Sequence, residues 1–294
     1  MARRRCVKDD RRLFSGVFFS VLAAACLFAS GCARCLPSRS KTPVSKPPIP
    51  AAQKRAIRVA IYDDAGGSGK GPSNIEKCLS ASGGFAFQRV NAQDIRQGIL
   101  SRFDVLIQPG GSGSKQGQTL GLEGRRAVQR FVKGGGGYIG ICAGAYLACS
   151  DRPAGLAILD ARAIDRAHWA RGTGNVKIKL TSAGKQILGT HEDIVTVYYG
   201  QGPLLAPDHK RLLPDFETLA TYETEMAKKG APSGVMIGTT AIAAGRYGKG
   251  RVLCLSPHPE RTPGLDGFIR SAVRFSAMGA ADGEVSRILS SPRG

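Results

Sequence analysis

Short apolar runs alternate with helix-like segments in this chain, and this alternation restricts the possible folds more than any other feature. The runs cover residues 57–62, 85–90, 103–108 and 138–141. Each is followed by a stretch that suits a helix, at residues 72–79 (with Ser73 as N-cap), 92–100, 122–133 and 143–149. Apolar strands that alternate with helices are typical of a parallel sheet. The sequence therefore predicts an α/β fold with a doubly wound, mostly parallel sheet and helices on both faces.

The later part of the chain departs from this alternation. Residues 175–180 and 194–199 have the composition of strands, and no clear helix is visible between them, so we expect an added antiparallel region at the sheet edge. Residues 240–247 and 251–255 flank a Gly-Lys-Gly turn and predict a hairpin. A last helix is predicted over residues 265–277.

The first 31 residues have the three parts of a secretory signal. Basic residues come first, an apolar run covers residues 13–29, and small residues precede Cys32. A transmembrane anchor is the alternative, although a run of about 17 residues is at the lower limit for spanning a bilayer. The signal predicts export, and a pair of arginines at residues 11–12 leaves a twin-arginine route open.

Residues 29–32 read Ala-Ser-Gly-Cys and resemble the lipobox of bacterial lipoproteins, with Cys26 as a weaker rival. This resemblance implies acylation of Cys32 and anchoring to a bacterial membrane on its extracytoplasmic side. Residues 32–56 are rich in proline, serine and basic residues and predict an extended tether. A single domain is then expected over residues 57–279, with a C-terminal tail at 280–294.

The chain carries a formal charge of +20, with 42 basic and 22 acidic residues among 294. The basic residues are spread along the sequence, aromatic residues make up only 6%, and no nucleic-acid-binding motif is present. We therefore expect no specific nucleic-acid partner. The charge favours an anionic membrane surface as a partner, together with the lipid anchor.

Residues 140–144 read Gly-Ile-Cys-Ala-Gly and lie where a predicted strand turns into a helix. Glycines on both sides allow a cramped turn that lifts Cys142 above the sheet, and the helix N-terminus stabilises a thiolate. Backbone N–H groups at such a turn can stabilise an oxyanion. Cys142 is therefore a candidate nucleophile, although a buried structural cysteine near a turn is the alternative.

His258 and Glu260 follow the last apolar strand. A histidine at a strand end can act as the base for a nucleophile on a neighbouring strand end, and an acid two residues later can orient the imidazole. A single histidine after a strand is usually structural. The combination with an elbow cysteine is much more specific and favours a catalytic role.

Three motifs together resemble class I glutamine amidotransferases: Gly-x-Cys-x-Gly, an earlier Pro-Gly-Gly after a strand, and His-Pro-Glu near the end. The resemblance spans about residues 57–279 and implies a flavodoxin-like fold. It implies Cys142 as nucleophile, His258 as base and Glu260 as the partner of that base. It also implies an oxyanion hole, formed by Gly110, Gly111 and Ala143.

The pattern is more closely similar to the N-terminal domain of biotin-protein ligases, which also occurs alone in bacteria. The supporting stretches are residues 62–66, 140–146 and 198–203. No biotin ligation is expected, because the ligase's catalytic domain has no counterpart in this sequence. Glutaminases of the amidotransferase family carry glutamine four residues after the cysteine, whereas this sequence has Tyr146 at that position, so we do not expect an ordinary glutaminase.

Four further residues are candidates for a pocket beside Tyr146. Asp63 and Asp64 end the first strand, on the side where ligands bind in such sheets, although capping of the next loop is equally consistent. Tyr198 and Tyr199 can line the pocket or pack in the core. The glycine-rich residues 66–71 lack the ending of a phosphate loop and predict a flexible pocket rim.

Cys78, Cys149 and Cys254 accompany Cys142 in the domain. Their spacing does not match zinc ligands, so we expect no metal and no cofactor. Two of the three can form a disulfide in an oxidising compartment, while the alternative is that all three are small buried side chains.

These residues leave three functions open. The first is a thiol-dependent hydrolase or transferase that acts on an amide-like bond of a small molecule or peptide through a thioester on Cys142. The second is a catalytically silent binding module that keeps the pocket. The third is a redox or aldehyde-detoxifying protein in which Asp63 or Asp64 supplies an acid beside the cysteine.

Overall fold

The computed structural model describes residues 55–279. The strands of this part are β1 (Ile57–Tyr62), β2 (Phe85–Val90), β3 (Val105–Gln108), β4 (Gly137–Ile141), β5 (Ala161–Ile164), β6 (Gly174–Leu180), β7 (Ile194–Tyr199), β8 (Leu204–Pro207), β9 (Glu217–Tyr222), β10 (Thr240–Tyr247) and β11 (Gly250–Leu255). The α-helices are α1 (Gly71–Ser80), α2 (Ala92–Arg96), α3 (Gly113–Lys133), α4 (Ala143–Ala148), α5 (Ser182–Leu188) and α6 (Asp266–Ala277).

All of the described strands join one mixed sheet. The main order is β2-β1-β3-β4-β11-β10-β9-β6-β7, and β8 and β5 branch from β10. The pairs from β2 to β11 are parallel. The first strands in the order 2-1-3-4 match the flavodoxin-like arrangement, in which ligands bind at the carboxyl ends of the strands. The predicted fold class is therefore confirmed.

The second half of the sheet is antiparallel, from β11 through β10, β9 and β6 to β7. It is larger than the edge that the sequence suggested. The expectation of no helix before β7 was wrong, because α5 lies between β6 and β7. Thr181 caps this helix by accepting a hydrogen bond from the N–H of Gly184, and Gly189 ends it at φ 69°. Seven residues are too few to show a clear helical period.

Helices cover both faces of the parallel half. Alternate residues of β1 point to opposite sides, so Val59 and Ile61 join one apolar core and Ala60 and Tyr62 join the other. Residues of α1 and α6 pack in the first core. Residues of α2, α3 and α4 pack in the second. This two-sided burial explains why the parallel strands are apolar almost throughout.

Two helix starts differ from the sequence-based expectation. Ser73 is not the cap of α1, since the helix begins at Gly71 and the Ser73 hydroxyl accepts a hydrogen bond from Arg89 at 2.9 Å. Helix α3 begins at Gly113 rather than Leu122, with a kink at Gly121. Its first turns are rich in glycine because they pass close to other backbone: a Cβ at Gly117 would lie 2.1 Å from the carbonyl of Ala154.

Candidate functional site

Cys142 lies on a sharp turn between β4 and α4. Its backbone has φ 51° and ψ −102°, a left-handed conformation that is strained for a residue with a side chain. The flanking glycines are required by space, because a Cβ at Gly140 would lie 2.5 Å from the carbonyl oxygen of Gly144, and one at Gly144 would lie 2.1 Å from that of Gln108. The Tyr138 hydroxyl also donates to the Gly144 carbonyl. The local sequence therefore holds the sulfur at the end of the central strand.

His258 and Glu260 follow β11, which pairs in parallel with β4. The two strands end side by side, so His258 comes close to Cys142 although the residues are far apart in sequence. The Nδ1 atom of His258 lies 2.7 Å from Oε1 of Glu260, and both side chains are almost fully buried. Because Nδ1 contacts the carboxylate, Nε2 is the nitrogen left for the sulfur or a substrate.

The imidazole ring of His258 lies in a narrow slot between two glycines. A Cβ at Gly110 would lie 2.7 Å from Cε1 of the ring, and a Cβ at Gly200 would lie 2.6 Å from Nε2. The same position at Gly110 would be 3.5 Å from Cβ of Cys142. Gly110 therefore touches both residues of the site, and any side chain at either glycine would displace the ring.

The pKa of His258 is raised from its ordinary value to about 10. Burial alone lowers it, but hydrogen bonds with Cys142 and Glu260 and the charges of those two groups outweigh the burial. The other carboxylate oxygen of Glu260, Oε2, is buried and has no hydrogen-bond partner among the described residues. Because the buried carboxylate of Glu260 has few other hydrogen bonds, it favours the protonated, positively charged form of the His258 imidazole.

The Cys142 thiol lies on the wall of a cavity of about 390 Å³. It is 6% exposed, and its sulfur is 3.7 Å from the carbonyl oxygen of Gly200, to which the thiol donates. A hydrogen bond with Cys142 and the charge of Cys142 are among the causes that raise the pKa of His258.

Two of the three expected oxyanion-hole residues, Gly111 and Ala143, line the same cavity as the sulfur. Ala143 is the first residue of α4, where an N–H has no acceptor within the helix. Among the described residues, neither N–H donates a hydrogen bond. Gly110 does not line the cavity; its carbonyl accepts from the N–H of Ser68 at 2.8 Å, and its Cα faces the imidazole.

Asp63 and Asp64 lie away from the cavity. Asp63 forms an ion pair with Arg89 at 3.0 Å and is 39% exposed. Asp64 accepts hydrogen bonds from the N–H groups of Ala65 at 2.6 Å and Ala92 at 2.9 Å, so it holds the following loop and the start of α2. The local capping role that the sequence left open is the one that this geometry supports for Asp64.

The three tyrosines are divided between the cavity and the core. Tyr146 lines the cavity, and the guanidinium of Arg152 lies 4.3 Å from its ring centroid and hydrogen-bonds to its hydroxyl. Tyr199 is buried, and its hydroxyl donates to the carbonyl of Gly202 at 2.8 Å. Tyr198 stacks against the Arg261 guanidinium at 4.1 Å and lies beside the His258 ring. Neither Tyr198 nor Tyr199 is among the cavity residues.

The far wall of the cavity was missed by sequence reasoning. It comes from residues 163–171, after the start of β5, and includes Asp165, Trp169 and Arg171. Arg171 is 1% exposed, while Trp169 is 64% exposed. In a chain with 42 basic residues one buried arginine has no distinct signal, and the single tryptophan was the one clue available.

The other cysteines of the domain are separate from the site. Cys78, Cys149 and Cys254 are buried and free, which matches the alternative of small buried side chains. Burial raises the pKa of the Cys78 thiol to about 12, with further raising by Asp266. Within residues 55–279, no group of three or more His, Cys, Asp or Glu side chains is arranged to hold a metal ion.

Residues 57–152 match the family described as biotin-protein ligase, N terminal. No curated protein matches the chain in sequence. The match to the biotin-protein ligase family covers the first part of the domain, including the loop of Gly110 and the elbow of Cys142, but ends before His258.

Three solved structures resemble the chain over most of its length. PurLQS from Thermotoga maritima has a TM-score of 0.51 at 16% identity, covering 76% of this chain and 97% of that one. A protein described as ThuA-like from Bacteroides uniformis has a TM-score of 0.53 at 14% identity, covering 78% of this chain and 94% of that one. A second ThuA-like protein, from Parabacteroides merdae, has a TM-score of 0.52 at 13% identity, covering 76% of this chain and 91% of that one. At such low identity these likenesses show the fold alone. The domain therefore has a class I glutamine amidotransferase-like fold, and over residues 57–152 it resembles the N-terminal domain of biotin-protein ligases.

Proposed function

We propose that this domain is a cysteine-dependent hydrolase or transferase that acts on an amide-like bond. The observation that carries the proposal is the position of Cys142, on a strained elbow at the cavity wall, beside the buried imidazole of His258. A strained backbone at a cavity is typical of a functional residue. The pKa of His258 is raised, and a protonated imidazole beside a cysteine activates the sulfur as a nucleophile.

In the proposed reaction the sulfur of Cys142 forms a bond to the substrate's carbonyl carbon. The carbonyl oxygen becomes an oxyanion that the N–H groups of Gly111 and Ala143 stabilise. The imidazolium of His258, which holds the thiol proton, donates it to the leaving nitrogen as the C–N bond breaks. Water or an acceptor amine then attacks the thioester, loses its proton to His258, and releases the acyl product as the sulfur leaves.

Tyr146 makes this site a poor match for ordinary glutaminase chemistry. Its ring is held on the cavity wall by the Arg152 guanidinium, which is in turn paired with Asp151 at 2.6 Å. A phenol fixed in this way adds bulk and removes the amide acceptor and donors of the family's glutamine. We propose that the substrate is a different amide, and biotin ligation is not part of the proposal.

The two other functions have less support. A redox or aldehyde-detoxifying role needs an acid near Cys142, whereas Asp63 is paired with Arg89 and Asp64 binds backbone N–H groups. A silent binding module would need no coupling between the cysteine and a buried imidazole. That coupling favours catalysis over binding alone.

The experiment is alkylation of the purified full chain with iodoacetamide, followed by peptide mass mapping. We expect Cys142 to react at least about tenfold faster near neutral pH than Cys78, Cys149 and Cys254, since burial raises the pKa of each of those three thiols. In His258→Asn the reaction of Cys142 should slow because the imidazolium is lost. Slow labelling of Cys142 that does not respond to His258→Asn would leave the silent module as the explanation.

We also propose that the protein is exported and anchored through an acylated Cys32, so that its basic charge faces an anionic membrane surface. The support is the order of basic, apolar and small residues in the first 32 positions. These residues lie outside the described part of the chain. Within residues 55–279, no helix is long and apolar enough to cross a membrane.

A further inference from the structure

We propose that Arg171 is the binding group for a carboxylate on the substrate, so that the domain acts on amides that carry an anionic carboxylate group. The inference rests on the proposed function, because it takes Cys142 as the reacting group. It concerns the wall of the cavity formed by residues 163–171, which the sequence motifs do not cover.

Arg171 is a buried cation with unused hydrogen-bonding capacity. It is 1% exposed, and its Nη2 atom is paired with the carboxylate of Asp165. Its Nη1 atom is buried and has no hydrogen-bond partner among residues 55–279. Leaving a charged donor unpaired in the interior is costly. A ligand in the cavity that Arg171 lines would supply the acceptor.

The side chain is held in place before any ligand binds. Asp165 adopts φ 48°, and its carboxylate is shared between Arg171 and Nδ1 of His168, the latter at 2.6 Å. The hydrogen bond with His168 and the contacts with Arg171 lower the pKa of Asp165, so it remains a carboxylate. The Arg171 carbonyl accepts from the N–H of Lys228 at 2.9 Å. This support directs the guanidinium without consuming its second terminal nitrogen.

Arg171 and Cys142 both affect the same buried side chain, that of Tyr199. Burial raises the pKa of the Tyr199 hydroxyl, the positive charge of Arg171 lowers it, and the charge of Cys142 raises it. Both groups therefore lie within electrostatic range of one side chain. The cavity of about 390 Å³ that they share is of the size that holds a small molecule.

The charges on the cavity wall select an anion rather than a zwitterion. Among the described residues that line it, the charged ones are Asp165, Arg166 and Arg171. The one carboxylate is already engaged by His168 and Arg171, so a free ammonium group finds no unshared acid. The Nη1 group of Arg171, which has no partner among the described residues, can donate a charge-assisted hydrogen bond to a carboxylate oxygen of the ligand. This distinguishes the expected ligand from glutamine, which carries an α-ammonium group.

The test compares electrophiles that share one reactive group and differ only in charge. The probes are N-iodoacetyl-glycine, N-iodoacetyl-β-alanine and N-iodoacetyl-γ-aminobutyrate, each against its neutral carboxamide. We expect Cys142 of the wild-type chain to react with the acid of the best-fitting length about tenfold or more faster than with its amide. If Cys142 shows no preference for the acid at any of the three spacer lengths, the inference is overturned, even without a variant.

Variants then assign the preference to one residue. Arg171→Gln should remove the preference for the acid, and Arg171→Lys should keep part of it. Arg162→Gln is the matched control, because Arg162 is an exposed arginine of β5 whose Nε donates to a backbone carbonyl. A preference that survives in Arg171→Gln would also overturn the inference. Failure of the proposed function looks different, since Cys142 would then react slowly with acids and amides alike.

Discussion

Nδ1 of His258 lies 2.7 Å from Oε1 of Glu260, and this contact joins two buried groups whose charges depend on each other. The His-Pro-Glu order allows it because a short 3₁₀ turn over Pro259–Arg261 turns the acid back towards the strand end. The imidazole is thereby oriented from one side and left open towards Cys142 on the other.

The first prediction concerns the dependence of stability on pH. The pKa of His258 in the folded chain, about 10, lies above the ordinary value of 6.5. Folding is therefore favoured by protonation of His258: this stabilisation is complete below about 6.5 and is lost as the pH rises through about 10. Glu260→Gln removes one cause of the raised pKa. Between pH 6.5 and about 10, the Glu260→Gln protein should therefore lose less unfolding free energy than wild type. The measurement is denaturant unfolding at several pH values.

A Glu260→Gln protein whose unfolding free energy falls as steeply with pH as wild type would contradict this account. Asp266→Asn is a matched control, because Asp266 is another acid near the end of the domain, and it contacts Cys78 rather than His258. It should leave the contribution of His258 unchanged.

The second prediction concerns the slot around the imidazole. Gly110→Ala places a Cβ about 2.7 Å from Cε1 of His258, and Gly200→Ala places one 2.6 Å from Nε2. We expect each to displace the ring, to lower the free energy of unfolding by about 1–3 kcal/mol, and to slow alkylation of Cys142 near neutral pH. The measurements are denaturant unfolding and iodoacetamide kinetics.

Gly69→Ala is the control for these substitutions, because a Cβ there would meet no atom within 4 Å. It should leave both measurements unchanged. Wild-type alkylation rates in Gly110→Ala and Gly200→Ala would show that the position of the ring does not govern the reactivity of the sulfur.

The third prediction is that the wild-type chain releases little or no ammonia from free glutamine. Tyr146 stands four residues after Cys142, where the glutaminases that the sequence resembles carry glutamine, and polar groups of the ligand left unpaired cost on the order of several kcal/mol. The measurement is an ammonia assay at high glutamine concentration, with Cys142→Ala as control. Turnover in wild type that disappears in Cys142→Ala would restore an ordinary amidotransferase role.

The fourth prediction concerns the N-terminus. In a bacterial host the mature protein should begin at an acylated Cys32 and fractionate with membranes, because Ala-Ser-Gly directly precedes that cysteine. Cys32→Ser should block acylation and leave unprocessed or soluble protein, while Cys35→Ser should behave as wild type. Soluble wild-type protein with a different N-terminus would contradict lipidation at Cys32.

Local sequence patterns are enough to predict the parallel half of the sheet, the elbow of Cys142 and the pair of His258 with Glu260. These features depend on local patterns: apolar runs, glycines beside Cys142, and two strand ends that a parallel sheet brings to the same edge. The helix α5 was missed because seven residues show too little periodicity. The early start of α3 was missed because its first turns are glycine-rich and lack apolar periodicity.

The surroundings of the Cys142 sulfur depend on contacts between residues that are far apart in the sequence. Asp63 and Asp64 lie at a strand end but are engaged by Arg89 and by backbone N–H groups, and no sequence pattern reveals those partners. Arg171 reaches the cavity because β5 pairs with β8 and β8 pairs with β10, which brings residues 163–171 opposite the elbow. Contacts of this kind depend on long-range strand pairing and on which charges are left unpaired after folding, and neither is encoded in a local run of residues.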